Sequence, residues 1–155
     1  TRSADSTIQT VPSGIIGQTE GTMFVEAKCN FDFNGARLLL IGAGTNFIEI
    51  VLRTSGVVNL FVYNGSAQAD INSSSTYTTG DTLKIAIGYK ANDFILYING
   101  VQEGLNILGV MPSLVNQLVV NNYIGGVYHS SNFYKDIKLY NTRLSNAELT
   151  ALTKI

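Results

Sequence analysis

An all-β fold, specifically a two-sheet antiparallel jelly-roll sandwich with a short C-terminal helix, is the class this sequence predicts, on three observations. Apolar residues alternate with polar ones through about ten short runs, the signature of half-buried strands. Turn signals punctuate those runs every 8 to 12 residues or so, the rhythm of a sandwich or barrel. The composition leans to Val, Ile, Thr, Tyr and Phe, with 15 Gly and only 2 Pro in 155 residues, which suits strands joined by tight turns better than helices.

Taken in order, residues 1–10 are polar and β-compatible and predict an edge strand before a loop at 11–21, which Pro12, Gly14, Gly17 and Gly21 punctuate. From Thr22 the alternation is clear: Met23, Val25, Ala27, Cys29 and Phe31 fall on one face, and Phe24, Glu26, Lys28 and Asn30 on the other, which is expected to be wet. Arg37 to Ile41 and Phe47 to Leu52 read as strands around a Gly42 to Asn46 turn. Val57 to Tyr63 follows, and the Asn64-Gly65 step turns it into a weaker strand at Ala67 to Ile71.

The clearest stretch is Asp81 to Gly104. Leu83, Ile85, Ile87 and Tyr89 share one face, as do Phe94, Leu96 and Ile98, with a polar turn at residues 90–93 between the two runs. Asn99-Gly100 supplies the two positive-φ positions of a type I′ turn, so Val101 to Glu103 folds straight back and completes a meander. Leu105 to Val115 is an irregular apolar connection, Gln117 to Val120 a strand, Asn121 to Asn132 a loop rich in Gly, Tyr and Asn, and Phe133 to Tyr140 the last strand. The tail is helical, with Ser145 and Glu148 spaced as a capping box and Leu144 and Leu149 as a hydrophobic staple.

Nothing in the pattern divides the chain, so residues 1–155 are read as one domain, and the start at Thr1 without Met suggests a fragment of a longer protein. Ten Lys and Arg against 11 acids, with charged residues at 14%, make no basic field to attract nucleic acid. No apolar run has the length to span a bilayer, so membrane insertion is not expected, and no basic-then-apolar leader is present. Cys29 has no second cysteine to pair with and reads as a small buried hydrophobe.

The Asp81 to Gly104 stretch, with its Leu-Tyr-Ile-Asn-Gly-Val core at 96–101, resembles the strand-turn-strand of concanavalin A-like lectin/glucanase domains, in particular laminin G-like jelly rolls. Asp136 to Leu149, Glu20 to Ala27 and the opening Thr-Arg-Ser-Ala-Asp resemble copies found in bacteriophage tail fibres and tailspikes. That resemblance implies a carbohydrate-binding, host-attachment module that binds a host cell-surface polysaccharide, in a homotrimeric parent on the extracellular virion. The same fold also hosts glycanases and plain adhesive modules, so the resemblance specifies fold better than function.

The superfamily's retaining glycanases place two carboxylates close together on one strand to flank the glycosidic bond. Phe47 to Val51 resembles that strand, yet Glu49 is followed by Ile50, Val51, Leu52 and Arg53, with no second acid two or four residues on. Glu26 on the preceding strand face is a candidate partner across strands, but a solvated Glu26 beside Lys28 is the favoured reading. His129, the only histidine, lies in a loop and reads as a binding residue rather than a base. An enzyme is therefore not expected, and no cofactor is.

Many relatives of this kind hold Ca²⁺ at the sandwich rim, for which Asp70, Asn72, Asp81 and Asp93 are the candidates; none shows an EF-hand spacing or a dense acid cluster, and turn formation is the favoured reading of these residues. Sugar binding needs exposed aromatic planes beside amides and hydroxyls. Tyr123, Tyr128, His129, Ser130, Asn132 and Tyr134 offer that composition, with Tyr63, Asn64 and Tyr77 as further candidates. Two other readings stand beside the lectin: a structural domain that caps or trimerises a fibre or decorates a virion, using Phe24, Phe47, Phe61 and Val51 between subunits, and a glycan-cleaving domain.

Overall fold

The structure is a computed structural model that describes residues 7–31, 35–114, 116–121 and 132–155. Its strands are β1 (Thr7–Thr10), β2 (Glu20–Lys28), β3 (Ala36–Ala43), β4 (Asn46–Leu52), β5 (Val58–Asn64), β6 (Ala67–Asn72), β7 (Thr82–Lys90), β8 (Asp93–Ile98), β9 (Val101–Asn106), β10 (Gln117–Val120) and β11 (Phe133–Tyr140), followed by the helix α1 (Asn146–Thr153). They build two sheets, six-stranded in the order β1-β10-β3-β4-β5-β6 and five-stranded in the order β11-β2-β7-β8-β9. Every pairing is antiparallel, and the architecture is the jelly-roll sandwich that the alternation predicts.

The core is the inward half of each alternating run. Met23, Val25 and Ala27 of β2 meet Ile48, Ile50 and Leu52 of β4 and Leu83, Ile85 and Ile87 of β7 in one buried cluster, which Cys29 and Phe31 extend. Cys29 is a packing residue: burial, with the nearby Asp81 charge, pushes its thiol up to about 12, so it stays protonated and unreactive at neutral pH.

Backbone chemistry sets the turns. Asn99 (φ 50°) and Gly100 (φ 85°) both sit in the left-handed region, as a type I′ hairpin requires. The expected four-residue turn at 90–93 is tighter, because Lys90 and Asp93 pair with each other and Asn92 takes the left-handed position (φ 60°). Asn tolerates that region better than most residues.

At the tail, Ser145 Oγ accepts from Glu148 N–H while Ser145 N–H donates to the Glu148 carboxylate at 2.7 Å, the reciprocal pair of a capping box. Eight residues are too few for a helix to stand on propensity alone. Tertiary burial holds it: Leu144, Leu149 and Leu152 pack on Phe24, Ala86, Ile95 and Tyr97. This corrects the expectation of a wet outer face on β2 and of Phe24 as a subunit contact, since α1 buries Phe24 within the chain. Phe47 and Val51 are likewise buried intramolecularly, and Phe61 is half-buried.

Two polar locks fix the periphery. Glu103 on β9, only 6% exposed, accepts from Ser74 Oγ (2.6 Å), Ser75 N–H (2.8 Å) and Tyr77 O–H (3.0 Å), and so pins the loop at 73–80 to the edge of the five-stranded sheet. Burial pulls its carboxyl upward, but the bonds from Ser74, Ser75 and Tyr77 together outweigh it and leave Glu103 below its usual range. Arg143 donates to Asp93 (3.0 Å), to the Leu144 carbonyl (2.6 Å) and to Asn146 Oδ1 (2.8 Å), fastening the start of α1 to the β7–β8 hairpin.

Candidate functional site

The two outer faces of the sandwich differ. The five-stranded sheet carries α1 across its outer face, whereas among the described residues no helix lies over the outer face of the six-stranded sheet. Strand register places a row of outward residues across that sheet: Ile8, Val119, Leu40, Glu49, Phe61 and Asp70, each opposite the next. A second row, two residues along, runs Arg37, Val51, Asn59 and Asn72. Along the first row Ile8 is exposed at the β1 edge, Val119, Leu40 and Glu49 are buried, Phe61 is half-buried and Asp70 is exposed, so the face opens to solvent at the β1 edge and again toward β5 and β6, where the polar and aromatic groups lie.

Three aromatics define one end of this open half. Tyr63 stacks on Phe47 with ring centroids 5.5 Å apart and planes 16° from parallel, and Phe61 leans on both at 6.0 and 6.1 Å. Phe47 is the buried base, and the half-buried Phe61 and Tyr63 offer the accessible ring surface.

A polar network defines the other end. Glu49, 3% exposed, pairs with Arg37 Nε at 2.6 Å. Burial raises its pKa despite the opposing pull of Arg37 and, more weakly, Arg53. Asn59 is fully buried, and its Nδ2 faces three acceptors: Asp70 Oδ1 at 2.7 Å, Asn72 Oδ1 at 3.1 Å and the Ile71 carbonyl at 3.2 Å. With its amide nitrogen so committed, Asn59 Oδ1 is left to accept from Arg53 Nη2 at 3.1 Å. Arg53, Thr54, Ser55, Val57, Asp70 and Asn72 line a cleft of about 540 Å³ here.

Of the sequence-predicted binding residues, Tyr63 belongs to this face, and Asn64 closes the β5–β6 turn through its N–H to the Ser66 carbonyl (3.0 Å). Tyr123, Tyr128, His129 and Ser130 lie outside the described residues. Tyr134 is on β11 of the five-stranded sheet, with Asn132 just before that strand, and the chain itself uses their polar groups. Asn132 Oδ1 accepts from Asn30 N–H (2.7 Å), and Tyr134 O–H donates to the Leu38 carbonyl (2.8 Å). The Tyr77 hydroxyl is held by Glu103.

The structure also separates groups that the sequence left in play. Glu26 is on β2 of the opposite sheet, paired with Lys135 at 2.7 Å, so the whole sandwich stands between it and Glu49 and the two flank no common bond. Of the calcium candidates, Asp70 and Asn72 both accept from the Asn59 amide, while Asp81 accepts from Thr78 N–H (2.8 Å) and Asp93 pairs with Arg143 elsewhere in the chain. Among the described residues no three His, Cys, Asp or Glu come together to hold a metal ion.

Sequence reasoning missed Arg37, Arg53 and Asn59. The available signal was Asn59 itself, a polar residue inside the apolar run at 57–63, on the same parity as Phe61 and Tyr63.

No family model matches the chain and no curated protein is similar to it, but solved structures are. The carbohydrate-binding module CBM40 of the Ruminococcus gnavus IT-sialidase, bound to α2,3-sialyllactose, superposes with a TM-score of 0.76 at 16% identity, over 90% of this chain and 84% of that one. The binding domain of botulinum neurotoxin DC in complex with SialylT gives 0.74 at 12% identity, over 95% of this chain and 38% of that one. Trypanosoma rangeli sialidase in complex with sialic acid gives 0.66 at 13% identity, over 88% of this chain and 23% of that one. What this chain shares with them is a lectin-like β-sandwich fold.

Proposed function

We propose that this chain is a non-catalytic carbohydrate-binding module whose site is the β5–β6 half of the six-stranded sheet's outer face. The observation that carries the reading is the contrast between the two faces. One has α1 packed across its middle, and the other brings half-buried aromatic rings and a cleft of amide, hydroxyl, carboxylate and guanidinium groups to solvent on a rigid sheet, the combination that recognises a sugar ring. The fold neighbours include proteins solved with sialyllactose and sialic acid, which makes sialylated glycans the first ligands to try. Turnover is not part of the proposal, because Glu49 is buried and spent on Arg37.

The sequence resemblance to phage tail proteins extends the proposal to context. The module recognises a host cell-surface polysaccharide from the virion, as part of a homotrimeric tail fibre or tailspike in which three weak sites act together.

A glycan array with the isolated domain tests the site. Wild type retains a defined set of glycans, and Tyr63→Ala and Asp70→Ala lose them while keeping the wild-type circular dichroism spectrum. Undiminished binding by both variants removes this face from consideration. A reducing-sugar assay on the bound glycans should give no product, from wild type or from Glu49→Gln.

One observation favours a second reading, an assembly role. Leu105, Ile107, Leu108 and Val110 are 49 to 71% exposed on a segment tied down by Asn92 N–H to Gly109 O and Val110 N–H to Gln68 Oε1. Sedimentation of the isolated domain as a stable trimer, with an empty glycan array, would favour it.

A further inference from the structure

We infer that Arg53 reads a carboxylate on the bound saccharide, so that the ligand class is acidic sugars. This rests on the sugar-binding reading above and adds to it the residue that sets specificity.

Among the described residues the Arg53 guanidinium makes a single hydrogen bond, from Nη2 to Asn59 Oδ1. The acceptor of that bond is fixed in place, because the same amide is anchored through Nδ2 to Asp70, Ile71 and Asn72 and is fully buried. Arg53 is therefore aimed but not saturated. A guanidinium carries five N–H donors in a planar fork whose geometry matches a carboxylate in two parallel bonds, and one of the five is occupied here.

The charges around it sort themselves out. Arg37 and Glu49 neutralise each other at 2.6 Å beneath the face, leaving Arg53 and the exposed Asp70 as the charged groups lining the cleft. Asp70 is oriented by Asn59 Nδ2 at 2.7 Å and retains lone pairs, so it accepts from hydroxyl groups and repels a second acid. Asn72, Thr54 and Ser55 supply further polar partners. One fork for one carboxylate, beside one acceptor for hydroxyls, describes a polyhydroxylated ligand with a single acid group. The Asn59, Phe61 and Tyr63 positions span about 13 Å along β5 at the strand rise of about 3.3 Å per residue, so a short oligosaccharide with its acid on Arg53 reaches the aromatic rings.

Uronic acids and sialic-type acids share this chemistry, and titration calorimetry separates them. Wild type is titrated with a sialylated and a glucuronate-terminated oligosaccharide, each as free acid and as methyl ester, and with their neutral parents. The expected result is at least tenfold tighter binding of one free acid than of its ester, with the preferred acid naming the source. Arg53→Gln should abolish that preference. Arg53→Lys should restore part of it, since an ammonium is a point charge without the fork. Equal affinity for acid, ester and neutral parent overturns the role of Arg53 and leaves sugar binding standing. Failure to bind any saccharide, on the array as in the calorimeter, overturns the sugar-binding reading and this inference with it. The ester comparison uses wild type alone, so equal affinity for acid and ester overturns the inference even where an Arg53 variant does not fold.

Discussion

Removing the Glu103 carboxylate should unfasten the loop at 73–80 and do so in a pH-dependent way. Three donors converge on it, Ser74 Oγ at 2.6 Å, Ser75 N–H at 2.8 Å and Tyr77 O–H at 3.0 Å, in a site that leaves Glu103 6% exposed. A hydrogen bond to a charged group is worth about 1.5 to 3 kcal/mol and a neutral one about 1, but three bonds to one carboxylate do not add in full. Glu103→Ala should therefore cost about 3 kcal/mol. Glu103→Gln, which turns its oxygen to the Ser74 and Ser75 donors and its amide to Tyr77 as an acceptor, should cost about 1 kcal/mol, the loss of charge assistance. The sign of the pH effect follows from the folded carboxyl titrating below its usual range. Its contribution is present in full above the unfolded-state value and is lost as pH falls through the lower folded one. Urea unfolding followed by far-ultraviolet circular dichroism, at steps from pH 7 to pH 3, reads this out: the gap between wild type and Glu103→Gln should close toward acid. A gap that stays constant across the range refutes the claim that the carboxylate, rather than the shape of the side chain, holds the loop.

Further outcomes follow from the same structure. Leu149→Ala, at a fully buried position against Phe24 and Tyr97, should lower unfolding free energy by about 3 kcal/mol in the same denaturation assay; a loss below about 1 kcal/mol would mean that α1 does not pack firmly on the sheet. Ser145→Ala removes the N-cap acceptor and should cost about 1 kcal/mol, with Ser145→Thr retaining most of it. Cys29 should resist a thiol-specific chromogenic reagent at pH 8 and react at once in denaturant, because burial pushes its thiol up to about 12; rapid labelling of the native protein would contradict its packed position. Gly100→Ala, forced to φ 85°, should lower the thermal midpoint by destabilising the hairpin by about 1 kcal/mol.

The parts of the fold legible in the sequence are those whose causes are local. Alternation from Thr82 to Ile98, the Asn99-Gly100 turn and the Ser145 to Glu148 box each need only a few neighbouring residues to be satisfied, and each is present in the structure. The fate of Phe24 was not legible, because nothing in its own strand says that a helix 120 residues later lies on it. The candidate site was hidden for the same reason. Arg53, Asn59 and Asp70 form no motif along the chain, and antiparallel pairing of β5 with β6 and the turn after β4 bring them together. Glu49 drew notice as a single acid in an apolar strand, but its partner turned out to be a base, Arg37.

The three-way hold of Asn59 on β6 has a consequence for how occupancy could be seen. β6 is the last strand of its sheet, and edge strands are among the first elements to fray. The amide that aims Arg53 is the same one that clasps Asp70, Ile71 and Asn72, so a saccharide bridging Arg53 and Asp70 closes a second clasp across that edge. Hydrogen exchange at the backbone of residues 69–72 would then slow in step with saturation, making the weakest margin of the sandwich the place where a bound sugar is recorded.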